Sequence, residues 1–89
     1  FTIGKIMLLH LEIDDKEIEK IHRKIALNVK KIRKENNITQ TELALCIGHK
    51  SVSTIAKIER GLEKKHYNIE QLYKISKVLK VYIKDFFEI

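Results

Sequence analysis

The sequence predicts an all-α domain of five helices, preceded by an arm at the amino terminus. Apolar side chains recur every three or four residues in successive stretches, which is the spacing of one helix face. Thr39 and Glu42 have the spacing of a capping box, which marks a helix start. Gly48 and Gly61 follow two of the stretches, and glycine is the residue that most readily ends a helix. A chain of 89 residues is expected to form one domain.

Residues 1–13 are the predicted arm, and residues 14–89 are the predicted domain. Leu9, Leu11 and Ile13 alternate with polar residues, which is the periodicity of a β-strand. No other segment offers a partner strand, so there are two alternatives for the conformation of the arm. Residues 7–13 pair with the same segment of a second subunit, or the arm is frayed or packs irregularly on the helices. If Met7 is the natural initiator, the few residues before it come from an expression tag.

The first predicted helix begins near Asp14 and Asp15, whose charges favour a helix amino terminus. Its apolar stripe consists of Ile18, Ile21, Ile25, Val29 and Ile32. Its opposite face is cationic, with Lys20, Arg23, Lys24, Lys30, Lys31, Arg33 and Lys34. Residues 20–34 contain no acid, and charge of one sign suits contact with phosphates, although a solvated helix face is the alternative. The pattern leaves open whether residues 14–36 form one helix or two.

The segment from Thr39 to Gly61 predicts two short helices with Gly48 between them. Ser51 can cap the second helix, whose buried face is Ile55 and Ile58. Neither helix is long enough to be stable alone, so the two are expected to pack on each other. The outer face of the second helix is small, polar or cationic, which suits the major groove of DNA. It consists of Val52, Ser53, Ala56 and Lys57.

This segment resembles the helix-turn-helix of the phage Cro/repressor family of bacterial regulators. The resemblance is carried by Thr-Gln-x-Glu-Leu-Ala from Thr39 and by Ser-Thr-Ile-x-Lys-Ile-Glu-Arg-Gly ending at Gly61. It covers about residues 24–87 and implies a five-helix, lambda-repressor-like DNA-binding domain. The family's first helix usually begins nearer Lys24, so the preceding turns are a departure.

The resemblance implies roles for individual residues. The positions that meet base edges are Val52, Ser53 and Lys57. The expected phosphate contacts are Arg33, Gln40, Lys50, Thr54, Arg60, Lys64 and Lys65. Arg33 and Glu59 match a pair that forms a buried ion pair in phage repressors. The turn is one residue longer than the commonest form. We place the extra residue at His49–Lys50, and a different placement would shift the base contacts by one.

The carboxyl-terminal part predicts two further helices. Asn68 and Gln71 resemble a second capping box, and residues 82–87 form a final short helix. The apolar end comprises Phe86, Phe87 and Ile89, more than one short helix can bury. In relatives this end often forms the dimer interface. We therefore expect one phenylalanine in the core and one in the interface.

Composition excludes several functions. The net charge of +6 favours a polyanionic partner, and the single Cys46 excludes an intramolecular disulfide. With three glycines there is no phosphate-binding loop, and the scattered histidines form no metal-ligand set with Cys46. We expect no cofactor and no enzymatic activity. No apolar run approaches the length of a membrane span, and no signal peptide is evident, so we expect a cytoplasmic, nucleoid-associated protein.

Two functions follow from these patterns. The first is a sequence-specific regulator of transcription that binds double-stranded DNA as a homodimer on a palindromic operator, such as a restriction–modification controller protein. RNA polymerase would be a further partner if it activates. The alternative is an antitoxin or protein-interaction module whose arm occupies a toxin.

Overall fold

The computed structural model describes residues 13–48 and 52–88. These residues form four α-helices and a final 3₁₀ helix, and no strand occurs among them. The elements are α1 (Asp15–Glu35), α2 (Gln40–Cys46), α3 (Val52–Arg60), α4 (Ile69–Leu79) and the 3₁₀ helix (Ile83–Phe87). The predicted all-α class is confirmed, with the difference that the last helix is 3₁₀. Residues 1–12, and with them the predicted strand, lie outside the described part of the chain.

The helix α1 is a single helix of 21 residues, which decides between the two alternatives for this stretch. The side chain of Asp14 accepts a hydrogen bond of 3.0 Å from the backbone N–H of Glu17 and caps the helix. Acidic residues occupy its first turn and Arg33 and Lys34 its last, in the arrangement that complements the helix dipole.

Both predicted capping boxes are present. At the start of α2, Thr39 Oγ1 accepts the N–H of Glu42 at 3.1 Å, and Glu42 Oε1 accepts the N–H of Thr39 at 2.9 Å. The bond donated by the backbone N–H of Thr39 favours the charged carboxylate and lowers the pKa of Glu42. Asn68 and Gln71 make the same two bonds at the start of α4. Each box fixes the residue at which its helix begins.

The core lies between the helices. Its fully buried side chains are Val29, Leu43, Ile55, Ile58, Ile75, Leu79 and Phe86. Helix α1 packs against the 3₁₀ helix and α3, while α2 packs against α3 and α4. This arrangement holds the inner face of α3 against the rest of the domain and leaves its outer face to solvent.

The apolar stripe of α1 is only partly buried. Ile25 and Val29 belong to the core, whereas Ile18 and Ile21 are each 44% exposed. The first turns of α1 extend past the helices that cover its second half. The stripe predicted from periodicity therefore divides into a core part and a surface part.

The two phenylalanines near the carboxyl end have different environments. Phe86 is completely buried, whereas Phe87 is 39% exposed. The side-chain amide of Asn28 on α1 donates hydrogen bonds to the carbonyls of Phe86 and Glu88, at 2.9 and 3.0 Å, and fastens this end to α1. Complete burial excludes the predicted dimer contact by Phe86, which is the core residue of the two. Ile89 lies outside the described residues.

Candidate nucleic-acid interface

The helices α2 and α3 form the helix-turn-helix unit. Helix α2 ends before Gly48, which has a φ of 79° and takes the left-handed conformation that suits glycine. Ile55 and Ile58 of α3 pack inward against α2 and the core. The predicted cap at Ser51 and the extra residue at His49–Lys50 lie in the turn that the structure does not describe.

The predicted base-contact residues lie on the solvent side of α3. Val52 is 39% exposed, Ser53 is exposed, and the side chain of Lys57 is 40% exposed. They lie away from Ile55 and Ile58, and each keeps a substantial part of its surface accessible to solvent. This face of α3 is accessible to a groove of nucleic acid.

The predicted phosphate contacts flank that face. Arg60, Lys64 and Lys65 are exposed, and Thr54 is half-buried. Glu63 and Lys64 form a turn, and both have left-handed backbone, with φ values of 55° and 50°. Lys64 and Lys65 are consecutive cations in the segment that follows α3. Lys50 lies outside the described residues.

Glu63 pairs with one of the proposed base-contact residues, and the sequence patterns did not indicate this pair. Glu63 Oε2 lies 2.9 Å from Lys57 Nζ. The ammonium of Lys57 lowers the pKa of Glu63, chiefly through the hydrogen bond. Both side chains are exposed, so water and salt weaken their attraction. Glu63 holds Lys57 in one orientation but can release it to a competing partner.

The buried ion pair between Arg33 and Glu59 joins α1 to α3. Arg33 Nε lies 2.8 Å from Glu59 Oε2, and Arg33 Nη2 lies 2.9 Å from Glu59 Oε1. Arg33 is 6% exposed and Glu59 only 1%. Two parallel bonds give the pair a fixed geometry, so the structure brings together the two residues for which the resemblance implied pairing.

Arg33 and Gln40 are both engaged inside the domain. Arg33 Nη1 donates to the carbonyl of Ile38 at 2.7 Å, in addition to the bonds with Glu59. A guanidinium that is this buried and bonded cannot also reach a phosphate, so the phosphate contact predicted for Arg33 does not fit. Gln40 Nε2 donates to Glu59 Oε1 at 2.9 Å. The start of α2 is thereby tied to α3.

Tyr67 lies against this buried network. Its hydroxyl is buried and has no hydrogen-bond partner among the described residues. Burial raises the pKa of Tyr67, the negative charge of Glu59 raises it further, and Arg33 acts in the opposite direction. The hydroxyl therefore stays neutral, and the ring acts as a packing residue behind the ion pair.

Two other features, a metal site and a membrane-spanning helix, were sought in the described residues. Within residues 13–48 and 52–88, no three His, Cys, Asp or Glu side chains are grouped as metal ligands. None of the helices in these ranges combines the length and hydrophobicity needed to cross a membrane.

Comparison with known proteins agrees with this architecture. The model of a helix-turn-helix family matches residues 29–86, which is more than half of the chain. The matched range begins within α1 and includes the whole α2–α3 unit and α4. Among curated proteins, none matched the chain. The chain therefore belongs to the helix-turn-helix family of the Cro/repressor type, whose members are DNA-binding regulators.

Proposed function

We propose that this regulator recognises a specific sequence in double-stranded DNA, with α3 in the major groove. The observation that carries the proposal is the division of α3 into a buried apolar face and an accessible face. Ser53 can hydrogen-bond several bases, Lys57 can reach guanine acceptors, and Val52 can contact a thymine methyl.

The flanking polar groups would contact the phosphates and set the register of α3. Arg60, Lys64 and Lys65 are exposed beside α3, and Thr54 lies on the helix itself. Gln40 retains a second amide N–H besides the one bonded to Glu59, and Lys50 remains a phosphate contact on sequence grounds. Contacts of this kind provide affinity that depends on salt and not on sequence.

A homodimer would bind a palindromic operator with half-sites about one helical turn, roughly 34 Å, apart. The exposed Phe87, with Ile89 two residues later, supports a dimer contact at the carboxyl end. Occlusion of a promoter would repress transcription, and contact with RNA polymerase would activate it. Among the kinds of small regulator in this family, we favour a restriction–modification controller protein, and the genes beside its own would test this.

Selection of binding sites from random duplexes, at two salt concentrations, tests the proposal. Lys57→Ala should relax base preference at one position and cost about 1–3 kcal/mol. Lys64→Ala or Lys65→Ala should weaken binding to all duplexes alike and reduce the salt slope by about one. Lys74→Ala removes the same charge from α4 and is the matched control. If all four variants behaved identically, the assigned roles would be wrong.

A protein-interaction module, such as an antitoxin, is the second candidate. The observation that favours it is the exposed pair Ile18 and Ile21 on the first turns of α1, next to the arm. Co-purification of a small basic toxin with the unmodified chain, and its loss after Ile18→Ser and Ile21→Ser, would support this function.

A further inference from the structure

The first part of α1 precedes the family match yet contacts the end of α3. Helix α1 begins at Asp15, whereas the matched range begins at residue 29. Residues Glu19, His22 and Arg23 lie in this earlier part, at spacings that place them on one side of the helix. All three contact residues between Glu59 and His66. We call these three residues the brace.

Arg23 caps the carboxyl end of α3. Its Nη1 donates a hydrogen bond of 2.6 Å to the carbonyl of Glu59, one of the final carbonyls that a helix leaves without partners. A cation is favourable at this end of a helix. The guanidinium also lies over Gly61, since a Cβ there would be 3.1 Å from Arg23 Nη1. Glu59 is thus held at two points, by Arg33 at its side chain and by Arg23 at its backbone.

The histidines connect α1 to the segment that carries Lys64 and Lys65. The rings of His22 and His66 are stacked, with centroids 3.7 Å apart and planes inclined by 2°. His66 Nε2 lies 3.0 Å from Glu19 Oε1, which adds a second contact between α1 and this segment. Because the stack follows directly on Lys65, it limits how far the lysine segment can move.

We propose that the brace positions the end of α3 and the lysine segment before DNA binds, and that protonation of both stacked histidines releases it. The consequence for DNA rests on the function proposed above. Side chains that are already positioned lose less freedom on binding, so affinity and specificity increase. Residues that precede the range matched by the family model would in this way increase the affinity and specificity with which that range binds DNA.

Charge around the stack explains why a second proton would disrupt it. The stack lines a pocket of about 510 Å³ between α1 and the segment after α3. The charged side chains that face it are Asp15, Lys16, Glu19, Lys20 and Arg23 from α1, and Lys64 and Lys65 from the segment. The cations outnumber the acids, and two imidazolium rings at this separation repel each other.

The pH range in which the brace is released follows from the pKa of His22. Burial lowers the pKa of His22 below its usual 6.5, the charge of His66 lowers it further, and Glu19 acts in the opposite direction. Neutral His22 therefore contributes its full stabilisation above about pH 6.5, and this is lost as the pH falls from there through the lower folded-state pKa. The brace should hold at neutral pH and weaken in mild acid.

Hydrogen exchange in the free protein tests the brace without DNA. Protection of the amides of residues 59–66, corrected for intrinsic exchange, should fall between about pH 7.5 and about pH 5.5 in the wild type. His22→Phe keeps an aromatic ring against His66 but cannot take up a proton. It should therefore retain protection across this range. The same loss of protection in His22→Phe and the wild type would overturn the proton-release part of the proposal.

Binding to DNA tests the consequence. The readout is the ratio of the affinity for a selected duplex to the affinity for a random duplex. A change in the charge of the protein alters both affinities in the same direction, so the ratio reports on specificity. At neutral pH, Arg23→Gln should lower this ratio by roughly two- to tenfold, as expected if the base-contact side chain of Lys57, in the last turn of α3, must be ordered on binding. Arg23→Lys should restore part of the ratio, because lysine can still donate to the Glu59 carbonyl.

Lys24→Gln is the matched control, because it removes the same charge from an exposed position next to Arg23. Equal effects of Arg23→Gln and Lys24→Gln would refute the positioning role. If the wild type preferred no duplex over random DNA, the function proposed above would fail. The hydrogen-exchange comparison would still decide whether the brace exists.

Discussion

Removal of Arg33 should take away a large part of the stability of the domain. In Arg33→Met, the carboxylate of Glu59 would remain 1% exposed and keep only Gln40 among its side-chain donors. An uncompensated buried charge costs about 3–5 kcal/mol. At about 0.05–0.15 kcal/mol per residue, a domain of 89 residues has a total stability of about 4–13 kcal/mol. The loss would therefore remove at least about a quarter of this stability, and all of it at the lower end of the range.

Urea denaturation followed by far-ultraviolet circular dichroism measures this loss, since a small single domain is expected to unfold in one cooperative step. The double variant Arg33→Met, Glu59→Leu removes both charges, so it should be more stable than Arg33→Met alone. Lys74→Met breaks an exposed pair, in which Lys74 Nζ lies 3.8 Å from Glu70 Oε1, and should cost less than about 0.5 kcal/mol.

Two outcomes would refute this reasoning. A loss of less than about 1 kcal/mol in Arg33→Met would show that Glu59 is not effectively buried as a charge. Additive losses in the double variant would show that the two residues are not energetically coupled, whatever their separation in the structure.

Three further predictions concern local features of the fold. Gly48→Ala and Gly61→Ala should each cost about 1–2 kcal/mol for their left-handed backbone. Gly61→Ala should cost more, since the new methyl would lie 3.1 Å from Arg23 Nη1 whereas nothing lies within 4 Å at Gly48; equal urea midpoints would contradict this. Tyr67→Phe should leave the melting temperature unchanged or raise it, because the hydroxyl is buried without a partner among the described residues, and a clear decrease would show that it has one. Thr39→Ala should lower the free energy of unfolding by about 1 kcal/mol through loss of the cap on α2, while Thr39→Ser should retain most of it in the same urea titration.

Features that depend only on neighbouring residues could be predicted from the sequence. The starts of α2 and α4 were predicted because Thr39 and Asn68 are capped by residues three positions later. The ends at Gly48 and Gly61 were predicted because left-handed backbone is a property of single residues. The accessible face of α3 followed from the periodicity of one short helix. These interactions are local, so their signal is contained within a few consecutive residues.

The pairing of Arg33 with Glu59 came from resemblance to a family and not from spacing. Periodicity placed Arg33 on a cationic face and implied contact with phosphates. The structure shows the guanidinium buried against α3 instead. Which side of a long helix meets its neighbours depends on how the helices cross, and no pattern within α1 specifies that angle.

Which members of a continuous apolar pattern are buried depends on how the helices pack on one another. Ile18 and Ile25 share one stripe, but other helices cover only the second. Phe86 enters the core and Phe87 does not, because the 3₁₀ helix docks on α1 in one orientation. The stacking of His22 on His66 likewise joins residues far apart in the chain. Contacts of this kind arise from the mutual packing of elements, which local propensities leave undetermined.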